Sequence, residues 1–266
     1  MRPTPALILR RRVADLDTAA DPKAPADTGL RHFTSVMPLW TEPETAARTG
    51  GRTVLEPPEA DAVADGCLLL RHLARDEASL VRGPVDGTRQ HWIGTGAHEL
   101  APSRRPALDR AWFTPPPGNS NTPSTKPFHL GLYTSTAQRD GGPGMWRMYL
   151  DQGSTLHPRP WHTWELQVAD PATTVLEIAG ASDWAAFVGR YPLVHRDSVF
   201  PDWGKVARDY AGVHLTLRAI FAIQGFRFPV EAGLTAPAYW DVESVLWLRW
   251  CFSAVRLVDV TPSDAV

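Results

Sequence analysis

Tyr239-Trp240-Asp241-Val242-Glu243-Ser244-Val245-Leu246-Trp247-Leu248-Arg249-Trp250 is the stretch on which the reading of this chain turns. It reads as a buried β-strand with an acidic pair at its start. Asp241 and Glu243 are two residues apart, so on a strand both side chains point to one face. Bulky apolar residues follow them. A carboxylate at the mouth of such a strand is costly unless it is hydrogen-bonded, repelled into protonation by its neighbour, or open to a cleft. Two earlier strands bring polar residues to the same neighbourhood, Leu30-Arg31-His32-Phe33-Thr34 and Leu130-Gly131-Leu132-Tyr133-Thr134-Ser135-Thr136.

Around these segments the pattern is α+β, with more sheet than helix. Alternation predicts strands at Gln90–Ile93, Phe128–Thr136, Met145–Leu150, Thr163–Val168, Thr174–Ile178, Val213–Leu217 and Val255–Val260. Helical spacing runs from Cys67 to Leu80. Ser182-Asp183 caps a helix over Trp184 to Tyr191, and a second short helix begins at Asp202-Trp203. Strands and helices do not alternate regularly, so a mostly antiparallel sheet is expected rather than a doubly wound one. Residues 1–28, rich in Ala, Asp and Pro, read as an arm or linker, and 29–266 as a single domain. Pro115 to Thr125 cannot form a regular ladder. It joins the Phe128 strand directly, which marks it as a lid over whatever that strand builds.

Composition narrows the function classes. A hydrophobic share of 43% supports a substantial core, and most of the 11 tryptophans belong in it. A net charge of -2 gives no global attraction to nucleic acid or anionic membrane. Cys67 and Cys251 read as two reduced thiols rather than a disulfide framework or a zinc site. His157 and His162 lack a third ligand, so no metal is expected. No leader and no membrane-spanning run is apparent, and the default location is cytoplasmic.

The order Arg31/His32, then Tyr133-Thr134-Ser135-Thr136, then Asp241-Val242-Glu243 resembles the ADP-ribosyltransferase superfamily. In that pattern an Arg or His on the first core strand precedes an aromatic residue with a Ser/Thr triplet, and a Glu precedes a late strand. The resemblance implies two packed, mostly antiparallel β-sheets with flanking short helices and an NAD-binding cleft between them. It implies cleavage of the nicotinamide–ribose bond of NAD, which is substrate rather than resident cofactor, and transfer of ADP-ribose to an acceptor. Glu243 is then the catalytic carboxylate that stabilises the oxocarbenium-like transition state. Thr134 is the hydroxyl that orients it, and Ser135 and Thr136 brace the cleft. Tyr133 stacks on nicotinamide. Arg31 grips phosphate or ribose, or His32 binds the ribose; strand alternation allows only one of the two to face the cleft. Asp241 takes the position that meets the acceptor, where the family has Glu or Gln, and the triplet is Thr-Ser-Thr rather than Ser-Thr-Ser. The acceptor (protein, nucleic acid or small molecule) has no signature of its own. Neither has an antitoxin or immunity partner of the kind a toxin with this chemistry needs. Two alternatives share the residues: a toxin-like NAD glycohydrolase or phosphorolase, and a non-catalytic nucleotide-binding module.

Overall fold

The computed structural model describes residues 70–71, 73–95, 110, 113–118, 123–152, 157–224, 226–237 and 240–263. The arm, the strand expected around Arg31 and His32, and Cys67 therefore lie outside the described residues. The elements in chain order are α1 (Ala78–Arg82), β1 (Gln90–Thr95), β2 (Leu132–Thr136), α2 (Met145–Leu150), β3 (Trp161–Val168) and β4 (Val175–Ile178). There follow α3 (Ala181–Arg190), β5 (Pro192–His195), β6 (Ser198–Pro201), α4 (Trp203–Asp209), β7 (Gly212–Leu215) and α5 (Leu217–Ile223). The chain ends with β8 (Phe228–Val230), β9 (Gly233–Thr235), β10 (Ser244–Trp247) and β11 (Phe252–Thr261).

The fold is mixed α and β, with two sheets and short helices. A seven-stranded sheet has the order β11-β3-β1-β2-β10-β7-β4, and a four-stranded sheet the order β5-β6-β9-β8. Pairing in the large sheet is antiparallel except between β4 and β7. Its two faces carry different cores. Leu246, Val213 and Leu215 belong to the larger cluster, with Trp184, Trp203 and Trp240. Leu132, Val245, Trp247, Trp164 and Phe252 form a second cluster on alternating positions of the same strands.

Several elements depart from the periodicity. Met145–Leu150 is a helix, not a strand: Met145 and Met148 are both buried, and a three-residue spacing fits one face of a helix as well as a short apolar run fits a strand. Leu217 opens α5 instead of ending β7, because the Thr216 side chain accepts from the Ala219 N–H and caps a new helix. Asp202 does the same for α4 through the Lys205 N–H. β2 begins only at Leu132. Gly131 ahead of it has φ +71, and a Cβ there would lie 2.4 Å from the Trp247 carbonyl oxygen, so the approach of β10 excludes a side chain. The described ends of the Pro-rich segment are tied to α4. The Trp203 indole donates to the Ser124 carbonyl at 2.8 Å and Arg208 to that of Gly118 at 3.1 Å.

Candidate functional site

The acidic pair does not share a face. Asp241 sits before β10 with φ +53, and Val242 N–H closes a tight turn onto the Trp240 carbonyl. Two-residue alternation therefore does not hold across Asp241, and the two carboxylates part. Asp241 is held by Gln224, whose side-chain amide donates to Oδ1 at 2.6 Å and accepts from the Asp241 N–H at 2.9 Å. Glu243 is fully buried.

The register of the sheet explains the partners of Glu243. Val245 lies opposite Thr134 across β10 and β2, so continuing the antiparallel pairing brings Glu243 to Thr136. Glu243 accepts from the Thr136 N–H at 2.9 Å and from its hydroxyl at 2.8 Å. The hydroxyl that meets Glu243 is thus that of Thr136, not that of Thr134. On the other side His214 Nε2 lies 2.9 Å from Glu243 Oε1, and His214 Nδ1 lies 2.5 Å from Glu177 Oε2. Glu177 is the residue directly opposite His214 on β4, and its other oxygen accepts from the Val85 N–H. Both imidazole nitrogens face carboxylate oxygens, and only the imidazolium can donate from both.

Thr134 belongs to the same network by another route. The Trp247 indole donates to its hydroxyl at 2.8 Å, and that hydroxyl donates to Gln90 Oε1 at 2.5 Å. Gln90 Nε2 then donates to the Thr136 hydroxyl and to the Asp86 carbonyl. Gln90, Thr134, Thr136, Glu243 and His214 are all buried. The whole set spans five adjacent strands, β1, β2, β10, β7 and β4. Each donor finds an acceptor, as buried polar groups must.

Ser135 and Tyr133 point the other way on β2. Ser135 Oγ accepts from the Trp146 N–H at 3.2 Å. Tyr133 donates to the Pro127 carbonyl at 2.8 Å, and its ring meets Trp240 edge-on at 5.9 Å. Lys126 is buried beside it. Its Nζ stands 5.6 Å from the ring centroids of Phe128, Tyr133 and Trp240, and 3.5 Å from the Trp240 carbonyl. Burial pulls the Lys126 ammonium down to about 8, against the pull of Asp241. Burial in turn raises the Asp241 carboxyl, against Lys126 and Gln224. Burial also raises the Tyr133 phenol.

Glu243 lines neither of two cavities near these strands. One, of about 610 Å³, has Arg89, His91, Arg139, Arg147 and Thr163 in its wall; the other, of about 470 Å³, has Ser79, Pro84, Val85, Val175 and Trp247. Among the described residues no group of three His, Cys, Asp or Glu side chains is arranged to hold a metal ion, and no helix is long and apolar enough to cross a membrane.

His214 and Glu177 are the residues that sequence reasoning missed. In the sequence they are only members of the expected strands Val213–Leu217 and Thr174–Ile178. A histidine in the middle of an apolar strand was the one available signal.

The His214 charge predicts a pH dependence. Burial alone lowers the imidazolium, but hydrogen bonds to Glu177 and Glu243, with their charges, push it up to about 9. The unfolded value is about 6.5. A raised folded value adds stability that is fully present below about pH 6.5 and is lost as pH rises through about 9. Lys126, lowered to about 8, acts in the opposite sense above that pH, so the quantity to read is the difference in urea midpoint between wild type and H214Q from pH 6 to pH 9.5, which should shrink across the window. A difference that does not change with pH would mean that His214 is not charged in the folded chain.

No protein-family model matches the chain, and none of the curated proteins or solved structures compared with it matches either.

Proposed function

We propose that the chain is an NAD-dependent ADP-ribosyltransferase that cleaves the nicotinamide–ribose bond and transfers ADP-ribose to an acceptor. One observation carries the reading: the hydroxyl-rich strand and the late acidic residue meet. Glu243 receives both the N–H and the O–H of Thr136 from the neighbouring strand, and the ordered motifs of the sequence lead to the same two strands, though to Thr134 as the partner. A carboxylate so anchored is pre-organised to stabilise positive charge on the ribose. Asp241, beside Lys126 and clamped by Gln224, stands apart from Glu243, so in this reading it does not meet the acceptor at the ribose. Arg31 or His32 completes the NAD site in this reading; Tyr133, on the opposite face of β2 from Thr136 and bonded to the Pro127 carbonyl, takes no part in it.

The complete burial of Glu243 favours a second reading, a nucleotide-binding module without turnover. In the first reading, NAD binding has to open a path to the carboxylate. Incubating the purified chain with NAD, with and without cell extract, separates the two. The transferase releases nicotinamide and labels material in the extract. Release without labelling identifies a glycohydrolase or phosphorolase. Binding without release, in both conditions, overturns the enzyme reading.

A further inference from the structure

The larger cavity, of about 610 Å³, carries four guanidinium groups and three carboxylates in its wall. Most of them are already paired. Arg89 is committed within the fold, to Asp86, Ser79 and the Ala137 carbonyl. Arg147 holds Asp151 and Asp259, and Arg256 holds Glu165. Arg139 is left over. Its main-chain N–H donates to Glu77 Oε1 at 2.7 Å, but its exposed guanidinium has no hydrogen bond or ion pair among the described residues. His91 and Thr163 are in the same wall. The half-buried His91 ring has no hydrogen-bond partner among the described residues either. Thr163 is 5% exposed, and its hydroxyl is buried without a partner. An unsatisfied buried hydroxyl calls for an explanation.

Strand register gathers these groups. His91 lies opposite Glu165, and Glu165 lies opposite Arg256. Thr163 is two residues along β3 from Glu165 and so shares its face. Ser135 is opposite His91 and alternates with Thr136, which places the cavity on the reverse face of the sheet from Glu243. We propose that this cavity binds a phosphorylated sugar or polyol, with the phosphate on Arg139 and hydroxyl groups on His91 and Thr163. The site does not depend on the transferase reading, because it shares none of its residues.

The chemistry of the wall selects this class of ligand. An unpaired guanidinium is a planar fork of donors that matches phosphate oxygens. The carboxylates limit the charge: one phosphate is matched by Arg139, whereas a di- or triphosphate brings further negative charge beside Asp151, Glu165 and Asp259. Burial holds His91 below the usual imidazole value, against the pull of Glu165. The neutral ring has one donor and one acceptor, the pair that a sugar hydroxyl uses. No Phe, Tyr or Trp is among the described wall residues, so a nucleobase has no ring to stack on. The volume falls within the range of small-molecule sites, about 300–1,000 Å³.

The test titrates the full chain with glucose 6-phosphate by calorimetry at pH 7, with inorganic phosphate, glucose and AMP as parallel probes. Glucose 6-phosphate should bind at one site and more tightly than the other three. R139A removes an exposed side chain that has no ion pair, so it should fold, as judged by circular dichroism. It should weaken glucose 6-phosphate at least about tenfold, the effect of one charge-assisted hydrogen bond. H91A and T163V should each weaken glucose 6-phosphate and leave inorganic phosphate unchanged. No binding of glucose 6-phosphate up to about 5 mM, above the usual range for metabolite sites, would overturn the proposal. So would inorganic phosphate that binds as well as the sugar phosphate, which would mean a bare anion site, or AMP that binds more tightly, which would mean a nucleotide site. Unchanged affinity in R139A, or in both H91A and T163V, would overturn it as well.

Discussion

Replacing His214 by alanine should cost about 3–5 kcal/mol of folding stability, read from urea denaturation at pH 6.5. The cost comes from what remains. His214 is fully buried between Glu177 and Glu243, at 2.5 and 2.9 Å. Removing the imidazolium leaves two carboxylates converging on a void. Glu243 has no exposure to water, so it must take up a proton or stay unpaired, and either is expensive. Glu177, with about a quarter of its side chain exposed, is relieved more easily. The loss should therefore shrink in a chain that already carries E243Q, because the same charge is then gone. Additive losses from the two changes would show that the contacts do not act as one unit. For a domain held by ~5–15 kcal/mol, the single change removes a large share. A loss below about 1 kcal/mol would mean that the carboxylates find other partners.

The second large effect is expected of E243Q. Under the transferase reading, nicotinamide release should fall at least about 100-fold, the usual consequence of losing a charge that acts mainly on the transition state. Stability has to be measured beside it. Glutamine keeps an oxygen for the Thr136 N–H but turns an N–H₂ toward the two groups that share Oε1, the Thr136 hydroxyl and His214. A fold that survives with turnover abolished supports catalysis by Glu243. Full turnover in a weakened fold would reduce Glu243 to a structural role.

The large sheet was readable from the sequence because its strands carry β-branched and aromatic residues in alternation or in short apolar runs, and that pattern places β1, β2, β3, β4, β7, β10 and β11 close to where they occur. Short amphipathic pieces were not readable. Met145–Leu150 satisfies two periodicities at once, and only the preceding turn and the packing of Met145 and Met148 choose the helix. The β5–β6 pair and the β8–β9 pair are three or four residues each, bounded by proline and glycine, and carry too little pattern to stand out. The site was half visible. Glu243 and the Thr-Ser-Thr run were found by order and residue type, but which threonine meets the carboxylate depends on register, a long-range property. Asp241 was put on the face of Glu243 because alternation was assumed to begin before the strand does. Nothing local links Glu177, His214 and Glu243; a parallel pairing and an antiparallel one bring them together.

The polar chain also decides something that hydrophobicity leaves open. Thr134 and Thr136 point to the same face, so sliding β2 by two residues along β10 keeps every inward and outward position. In the slid arrangement Thr134 would stand before Glu243, and the Trp247 indole would look onto Leu132 instead of a hydroxyl. A buried indole N–H without an acceptor costs roughly 1–3 kcal/mol, and Gln90 could no longer bridge two threonines on its neighbour. The apolar pattern admits a family of equivalent alignments, and the hydrogen bonds single out one. These residues therefore act as the indexing marks of the sheet, and a change at Gln90 or Thr134, neither of which touches Glu243, is a route to a chain that folds with its strands out of step.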